Sequence, residues 1–386
     1  MDSKQPERSI KHKTIYDKIC SDILKGVYKP GQKLPTEHEL AEFFKTSRPT
    51  ISRAMRDIQE KGLIVRHQGQ GTFVKQAPVN EHKTFGILVH WQIRPHTDTM
   101  TTIFGVMVPE ILKVASQRGY SLLLNDIPEY KDADYIEYAK KIAQRLIDAH
   151  VAGVFFTPLE ISGSASINEE LANAFDKAGI SLVLLDRDIS DSYHRSKYDI
   201  VGINNEQSSL VLTNHLLNLG CTKIDFICGP ALTTAINDRI RGYRSALEEK
   251  GIHVNPDQLH CFDSKLLQDS QSGAGEGKKI IDLVKSGKTE AFVCVNDSTA
   301  ADVILYVLRN GLKIPDDVRI VGFDDLPINK LLPVPLTTIR QPAEALAHES
   351  VRTMIDRIER NQSPARDIMV KTELIIRQSC GSTLST

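Results

Sequence analysis

Apolar residues recur at different spacings in two parts of the chain. Residues 14–74 contain three stretches with helical spacing, followed by two short apolar runs around a glycine-rich turn. From residue 84 onward, short continuous apolar runs alternate with amphipathic stretches long enough for helices. Residues 76–83 between them are polar and contain a proline, as a linker does. The pattern predicts a small head at residues 1–75 and a large α/β body at residues 84–386.

Cap residues mark where the predicted helices of the head begin. Residues 14–25 place isoleucine at every fourth position, which predicts a helix with one buried face. Thr36 and Glu39 have the spacing of a capping box at the start of a second helix. Ser47 precedes Pro49, which a helix tolerates in its first turn. A hairpin from residue 63 to residue 74 completes a predicted winged helix-turn-helix.

In such a fold the second helix of the pair enters the DNA major groove with its N-terminal residues. Here these are Ser47, Arg48 and Thr50, with Ser52 and Arg53 one turn further on. Arg48 suits bidentate pairing with guanine, while Ser47 and Thr50 suit phosphates or base edges. The alternative for this helical triplet is a surface that packs against a partner protein.

Charge favours DNA as the partner of the head. Residues 1–78 carry 15 Lys and Arg against 9 Asp and Glu, whereas the remainder carries 33 against 40. The net charge of −1 therefore hides a basic head on an acidic body. A basic excess at one end only is what a polyanion-binding head requires.

Residues 14–75 resemble the GntR-type DNA-binding domain. The motifs that carry the resemblance are Leu34-Pro35-Thr36-Glu37, Ser47-Arg48 and Gly69-Gln70-Gly71-Thr72-Phe73-Val74. It implies that Arg48 and Thr50 contact the major groove, that Gln68 and Gly69 at the wing tip reach the minor groove, and that His38 adds a polar contact. The chain departs from the family at Ser52, where a second DNA-reading arginine is common. Arg53 beside it points about 100° away around the helix.

Polar residues follow several predicted strands of the body. Asp186 follows residues 181–185, Asn296 and Asp297 follow residues 291–295, and Asp324 and Asp325 follow residues 318–323. Ligands of parallel α/β sheets bind at the carboxyl ends of the strands. Carboxylates and amides gathered there suit a polyhydroxylated ligand. Asp297 is also explained as a helix N-cap, and Asp325 as a residue that shapes its turn.

The body resembles the LacI/GalR-type effector domain, which is similar to periplasmic sugar-binding proteins. The resemblance covers residues 84–379 and rests on Val201-Gly202-Ile203-Asn204-Asn205-Glu206, Arg239-x-x-Gly242-Tyr243 and Ile320-Val321-Gly322-Phe323-Asp324-Asp325. It implies two lobes with parallel sheets. It also implies an effector site whose residues are Asp186, Arg239, Asn296 and Asp324, with Thr233 and Phe262 as weaker matches and His90 and Trp91 at the end of the first strand. A core position for Trp91 is equally open.

The union of these modules is similar to the arabinose-utilisation repressors of Gram-positive bacteria. The resemblance implies a homodimeric transcriptional repressor that binds operator DNA and is released by a sugar, with L-arabinose as the leading effector. Another sugar, a nucleoside or a purine remains open, as does a sugar-binding protein or enzyme of the same fold. Apolar positions in residues 104–115 are candidates for the dimer interface, unless they cover the sheet: Phe104, Met107, Val108, Ile111 and Ala115.

Other classes find little support in the sequence. No apolar run is long enough to span a membrane, and the first residues are polar, so we expect a cytoplasmic protein. The 6 cysteines are scattered, which favours free buried thiols. The stretch from Gly273 to Lys278 lacks the complete phosphate-loop pattern and the preceding strand. Neither a metal, a cofactor nor an enzymatic activity is expected.

Overall fold

The chain forms two units, Met1–His82 and Lys83–Thr386, each with its own apolar core. The computed structural model describes residues 5–24, 27–29, 31–60, 63–67, 71–74, 84–88, 102–125, 132–159, 165–189, 195–230, 233–263, 267, 275–359 and 364–382. Among these residues no helix is both long and apolar enough to cross a membrane.

The first unit is a three-helix head with a β-hairpin. It contains α1 (Gln5–Leu24), α2 (Glu37–Phe43), α3 (Arg48–Glu60) and the antiparallel strands β1 (Ile64–His67) and β2 (Gly71–Val74). All the elements contribute to one core because each helix is apolar on one face. The buried members are Ile15, Ile19, Cys20, Leu34, Leu40, Ile51, Ala54, Met55, Ile58, Ile64 and Val74. The predicted winged helix-turn-helix is confirmed.

Local details of the head follow its sequence signals, with one difference. The capping box is present, since Thr36 N donates to Glu39 Oε2 at 2.7 Å and Glu39 N donates to Thr36 Oγ1 at 3.3 Å. Helix α1, however, begins at Gln5 and not near residue 14. Its added turns carry good helix formers and a proline close to the start, where proline is tolerated. His12 in this extension lies 2.9 Å from Asp57 of α3.

The second unit begins with a lobe built on a parallel sheet, the first lobe. Its strands lie in the order β13-β7-β6-β5-β3-β4. The strands are β3 (Thr84–Leu88), β4 (Ser121–Leu123), β5 (Gly153–Phe156), β6 (Ser181–Leu185), β7 (Asp199–Ile203) and β13 (Asp367–Val370). The helices that pack on them are α4 (Ile103–Gln117), α5 (Asp132–Asp148), α6 (Ala165–Lys177) and α11 (Ala343–Glu359). Every pairing in this sheet is parallel, as the continuous apolar strands predict.

The second lobe repeats this architecture with one antiparallel edge. Its strand order is β14-β12-β11-β10-β8-β9, and only β14 runs antiparallel to its neighbour. The strands are β8 (Ile224–Cys228), β9 (Leu259–Cys261), β10 (Ala291–Cys294), β11 (Arg319–Asp324), β12 (Thr337–Arg340) and β14 (Glu373–Ile375). The helices are α7 (Asn205–Asn218), α8 (Thr234–Glu249), α9 (Glu276–Lys285) and α10 (Asp297–Arg309). The predicted pair of parallel-sheet lobes is confirmed.

The chain passes between the lobes three times. The crossings lie between β7 and α7, between β12 and α11, and between β13 and β14. Each lobe is therefore assembled from distant parts of the sequence. The crossings also bring residues 204–205 and 341–342 to the junction of the two sheets, next to the carboxyl ends of their strands.

Helix α4 does not present the face that we considered for a dimer interface. Phe104, Met107, Val108, Ile111 and Ala115 are all buried within this one chain. Together with Val114 they belong to a core cluster that includes strand residues, and α4 packs against α11. Of the two alternatives for these positions, coverage of the sheet is confirmed, because strand residues and α11 pack against them within this chain.

Candidate DNA interface and effector site

The N-terminus of α3 presents its polar residues to solvent. Arg48 is the first residue of the helix, and its side chain is 72% exposed. Glu37 of α2 is engaged mainly by Arg66 of β1, whose Nη2 lies 2.8 Å from Glu37 Oε1, whereas Arg48 Nε lies 4.0 Å from Glu37 Oε2. Arg48 thus keeps its guanidinium accessible beside an ion pair that links α2 to the hairpin.

Other predicted DNA contacts surround this position. Ser47 Oγ and Thr50 Oγ1 lie 2.8 Å apart at the start of α3. Arg53 is exposed on the same helix, and Ser52 is half-buried. His38 is exposed on α2 with its Nδ1 3.5 Å from Glu42 Oε1. The predicted wing-tip residues Gln68 and Gly69 lie outside the described residues.

The body gathers two carboxylates at the ends of strands from different lobes. Asp186 directly follows β6 of the first lobe, and Asp324 ends β11 of the second lobe. Both have backbone angles that L-residues rarely adopt, with φ of 70° and 118°. Such strained positions persist only where the surrounding structure holds them, and they concentrate at ligand sites. The backbone thus turns both acidic side chains toward the junction of the lobes.

Arg239 of α8 is buried next to Asp324, and its positive charge also acts on Asp186. Its Nε donates to Asn205 Oδ1 at 2.8 Å, and its Nη1 donates to the carbonyl of Val295 at 2.6 Å. The guanidinium lies 3.7 Å from the centre of the Phe323 ring. Its Nη2 is 3.8 Å from Asp324 Oδ1, beyond hydrogen-bond distance. The guanidinium is therefore fixed on two sides, with one nitrogen directed at the site.

Two crossings between the lobes each deliver an amide to one of the carboxylates. Asn205 starts α7 after the first crossing; its Oδ1 accepts from Arg239 Nε at 2.8 Å, and its side chain acts to lower the pKa of Asp186. Gln341 lies on the second crossing, and its Nε2 donates to Asp324 Oδ1 at 2.7 Å. Both amides are buried. Sequence reasoning named neither as a site residue, because their function depends on where the chain changes lobes.

Burial raises the pKa of both carboxyl groups. For Asp186, burial raises the pKa while the positive charge of Arg239 opposes the shift. For Asp324, burial raises the pKa to about 6, against the opposing effects of Arg239 and the Gln341 hydrogen bond. The site thus holds two carboxyl groups beside the guanidinium of Arg239, and a second buried guanidinium is nearby, since Arg187 Nη2 lies 3.5 Å from Asp186 Oδ2. It can accept hydrogen bonds from ligand hydroxyls and donate through Arg239.

Asp297 is a buried carboxylate near Asp324 that binds three groups of the surrounding backbone and side chains. Its Oδ2 accepts from Leu326 N at 2.8 Å and from Asn329 Nδ2 at 2.7 Å, and its Oδ1 accepts from Thr338 Oγ1 at 2.6 Å. Burial and the charge of nearby Asp324 raise its pKa to about 8. The proposed N-cap role was wrong for Asp297, since Asn296 caps α10 by accepting from Thr299 N at 2.8 Å. Asp297 instead fixes the turn that follows β11.

The remaining predicted effector residues cap helices, lie in the core or fall outside the described residues. Asn296 uses its side-chain oxygen as a cap, and Thr233 caps α8 by accepting from Ile236 N at 3.2 Å. Phe262 is buried in the apolar cluster of the second lobe. His90 and Trp91 lie outside the described residues. Effector contacts by these five residues stay predictions.

Family models match both units of the chain. Residues 11–74 match the model described as bacterial regulatory proteins, gntR family. Residues 213–380 match the model of the periplasmic binding protein-like domain. The protein thus unites a GntR-type winged-helix domain with a periplasmic-binding-protein-like domain.

Individual relatives share this combination or its fold. The arabinose metabolism transcriptional repressor of Geobacillus stearothermophilus is 28% identical over 379 residues, which is 96% of this chain and 97% of that protein. The HTH-type transcriptional repressor PurR of Aliivibrio salmonicida is 25% identical over 305 residues, which is 78% of this chain and 82% of that protein. The solved complex of the transcriptional regulator CelR with cellobiose superimposes with a TM-score of 0.65 at 21% identity, covering 90% of this chain and 100% of that one.

Proposed function

We propose that this protein is a transcriptional repressor that binds operator DNA through its winged-helix domain and releases it when a small sugar occupies the junction of its two lobes. The single observation that carries the proposal is the pairing of Asp186 and Asp324 from different lobes around the buried Arg239. A ligand that engages both carboxylates contacts both lobes at once. Its binding energy therefore depends on how the lobes are arranged.

The chemistry of the site favours a polyhydroxylated ligand. Carboxylates accept hydrogen bonds, and the guanidinium and amide nitrogens donate them, so adjacent hydroxyls can be engaged in both senses. Phe323 lies behind Arg239 and keeps water from that side. L-Arabinose is the first candidate, because a relative from Geobacillus stearothermophilus that aligns with 96% of this chain is named for arabinose metabolism.

The sugar must bind one state of the protein better than another to change DNA affinity. Coupling free energies of about 1–3 kcal/mol are usual, which corresponds to roughly 5–150-fold in affinity. We propose that two copies of the chain bind a pseudo-palindromic operator, since helix-turn-helix dimers recognise two half-sites. Sugar binding then weakens operator binding within this range.

The test begins with a thermal-shift screen of the purified protein against pentoses, hexoses, nucleosides and purines. We expect L-arabinose to raise the unfolding temperature, and we expect calorimetry with Asp324→Asn and Asp186→Asn to show weakened binding. A shift with nucleosides or purines alone would assign the effector to that class instead. A coupled assay that detected conversion of the sugar would replace the repressor proposal with an enzymatic one.

Operator binding is tested by gel shift with the promoter region next to the gene that encodes this protein. We expect a protein–DNA complex that dissociates when the sugar found in the screen is added. If that sugar strengthened the complex, the protein would use its effector as a corepressor, and release by sugar would be refuted.

A further inference from the structure

Two cysteines stand side by side at the carboxyl ends of β8 and β9. The strands are parallel, and Cys228 is in register with Cys261. Residues in register on neighbouring parallel strands direct their side chains to the same face of the sheet. Phe226 and Leu259, the preceding registered pair on that face, both contact one core cluster. The two thiols therefore neighbour each other on one side of the second lobe's sheet.

The two thiols differ in their access to solvent. Cys228 is fully buried, whereas Cys261 is exposed and lies on the edge strand of the sheet. Burial and a hydrogen bond with the Cys261 thiol raise the pKa of Cys228. A dissolved oxidant accordingly reaches Cys261 first, and Cys228 is held behind it as a second thiol.

We propose that Cys261 and Cys228 form a reversible oxidation site for hydroperoxides. The Cys261 sulfur attacks a peroxide oxygen, the O–O bond breaks, and the products are a sulfenic acid and water. The Cys228 sulfur then attacks the sulfenic sulfur, the S–O bond breaks, and water leaves with the Cys228 proton. In total, two thiols and one hydrogen peroxide give one disulfide and two water molecules.

The backbone can accommodate this bond with a small adjustment. Neighbouring strands lie about 4.7–4.9 Å apart, and disulfides span Cα separations of about 4.4–6.8 Å. Within the described part of the chain, strand β9 has a neighbour on one side only, so it can shift toward β8. Exposed or strained disulfides are the ones that cells reduce again.

The disulfide would link two segments that lead to predicted effector contacts. Beyond Cys228 the chain continues to Thr233 at the start of α8, and Phe262 follows Cys261 directly. We therefore expect oxidation to weaken effector binding, a consequence that rests on the proposed function. Formation of the disulfide itself does not depend on any effector.

The experiment treats the reduced full-length protein with hydrogen peroxide, alkylates the remaining thiols and maps the peptides by mass spectrometry. We expect one linked peptide pair containing Cys228 and Cys261, lost on reduction, with the other four cysteines alkylated. Cys261→Ser should abolish the link, and Cys228→Ala should leave a sulfenic acid at Cys261 that dimedone traps.

The matched control is Cys294→Ala, which alters a buried cysteine at the end of the adjacent strand but on the opposite face, in register with Ile227. It should form the disulfide as the unaltered protein does. Six alkylatable thiols after peroxide treatment, or a link between Cys221 and Cys380 alone, would overturn the proposal. If the correct disulfide forms but sugar affinity stays the same, the oxidation site stands and only its link to the effector fails.

Discussion

Replacing Gly242 with alanine should drive α7 and α8 apart at the effector site. An added Cβ at this position would lie 2.0 Å from the carbonyl oxygen of Glu206 and 2.9 Å from the amide nitrogen of Leu210. Both atoms belong to the backbone of α7, so no side-chain rotation can relieve the contact. The two helices must separate, or α8 must distort.

The size of the effect follows from this geometry. A carbon and a carbonyl oxygen approach to about 3.3 Å at closest, so the contact requires a local displacement of roughly 1.3 Å. Overpacking of this kind costs about 1–3 kcal/mol of stability. Asn205 precedes Glu206 on α7, and its 2.8 Å bond to Arg239 on α8 should break. A hydrogen bond to a charged group contributes about 1.5–3 kcal/mol, so sugar affinity should fall roughly 10-fold to 150-fold.

Urea unfolding and calorimetry with the sugar found in the screen measure the two effects. Gly229→Ala is the matched control, because its added Cβ meets no atom within 4 Å and its φ is not positive. We expect the control to bind sugar as the unaltered protein does. If Gly242→Ala matched the control in both free energy of unfolding and sugar affinity, the close approach of α7 and α8 would not be what positions Asn205 and Arg239.

Four further outcomes are expected. Arg48→Ala should remove operator binding in a gel shift, whereas Arg56→Ala, which alters another exposed arginine of α3, should retain it; equal retention by both variants would remove Arg48 from the interface. Asp324→Asn should weaken calorimetric sugar binding at least tenfold, in contrast to Asp316→Asn outside the site, and unchanged affinity would exclude Asp324. The pKa values of Asp324 and Asp297 are raised to about 6 and about 8 in the folded protein, so their contribution to stability is complete below about pH 4 and is lost as pH rises through those values. Urea titration should therefore give a lower free energy of unfolding at pH 8.5 than at pH 5.5, and Asp297→Asn should reduce this difference. Operator affinity should fall steeply with salt because phosphate contacts release counterions, and a flat dependence in fluorescence anisotropy would contradict a phosphate-binding head.

The strands that sequence patterns missed show where local reasoning fails. Strand β7 was not predicted because Asp199 and Gly202 interrupt its apolar run. Asp199 is fully buried, and its carboxylate accepts from Arg357 Nε at 2.8 Å and from Arg366 N at 2.8 Å. The partners that make a buried charge tolerable lie more than 150 positions away, so no window around β7 contains them.

The candidate effector site was also only partly predictable from the sequence. Strand ends pointed to Asp186 and Asp324, because a polar residue after a buried strand is visible in the sequence. Asn205 and Gln341 carry no such local signal. They are site residues only because the chain changes lobes beside them, which is a property of the whole topology. Helix caps and apolar faces in the head were predictable since their causes lie within a few residues.

The three crossings also determine when each part of the protein can fold during synthesis. All described elements of the head are complete once residue 74 has left the ribosome. The first lobe instead requires α11 and β13, and β13 ends at Val370 of 386 residues. The chain must therefore emerge up to Val370 and Ile375 before the two sheets of the body gain their last described strands. During translation, the winged-helix head is therefore complete before the body that carries the candidate effector site, so any operator binding by such a nascent chain would not yet respond to the proposed sugar.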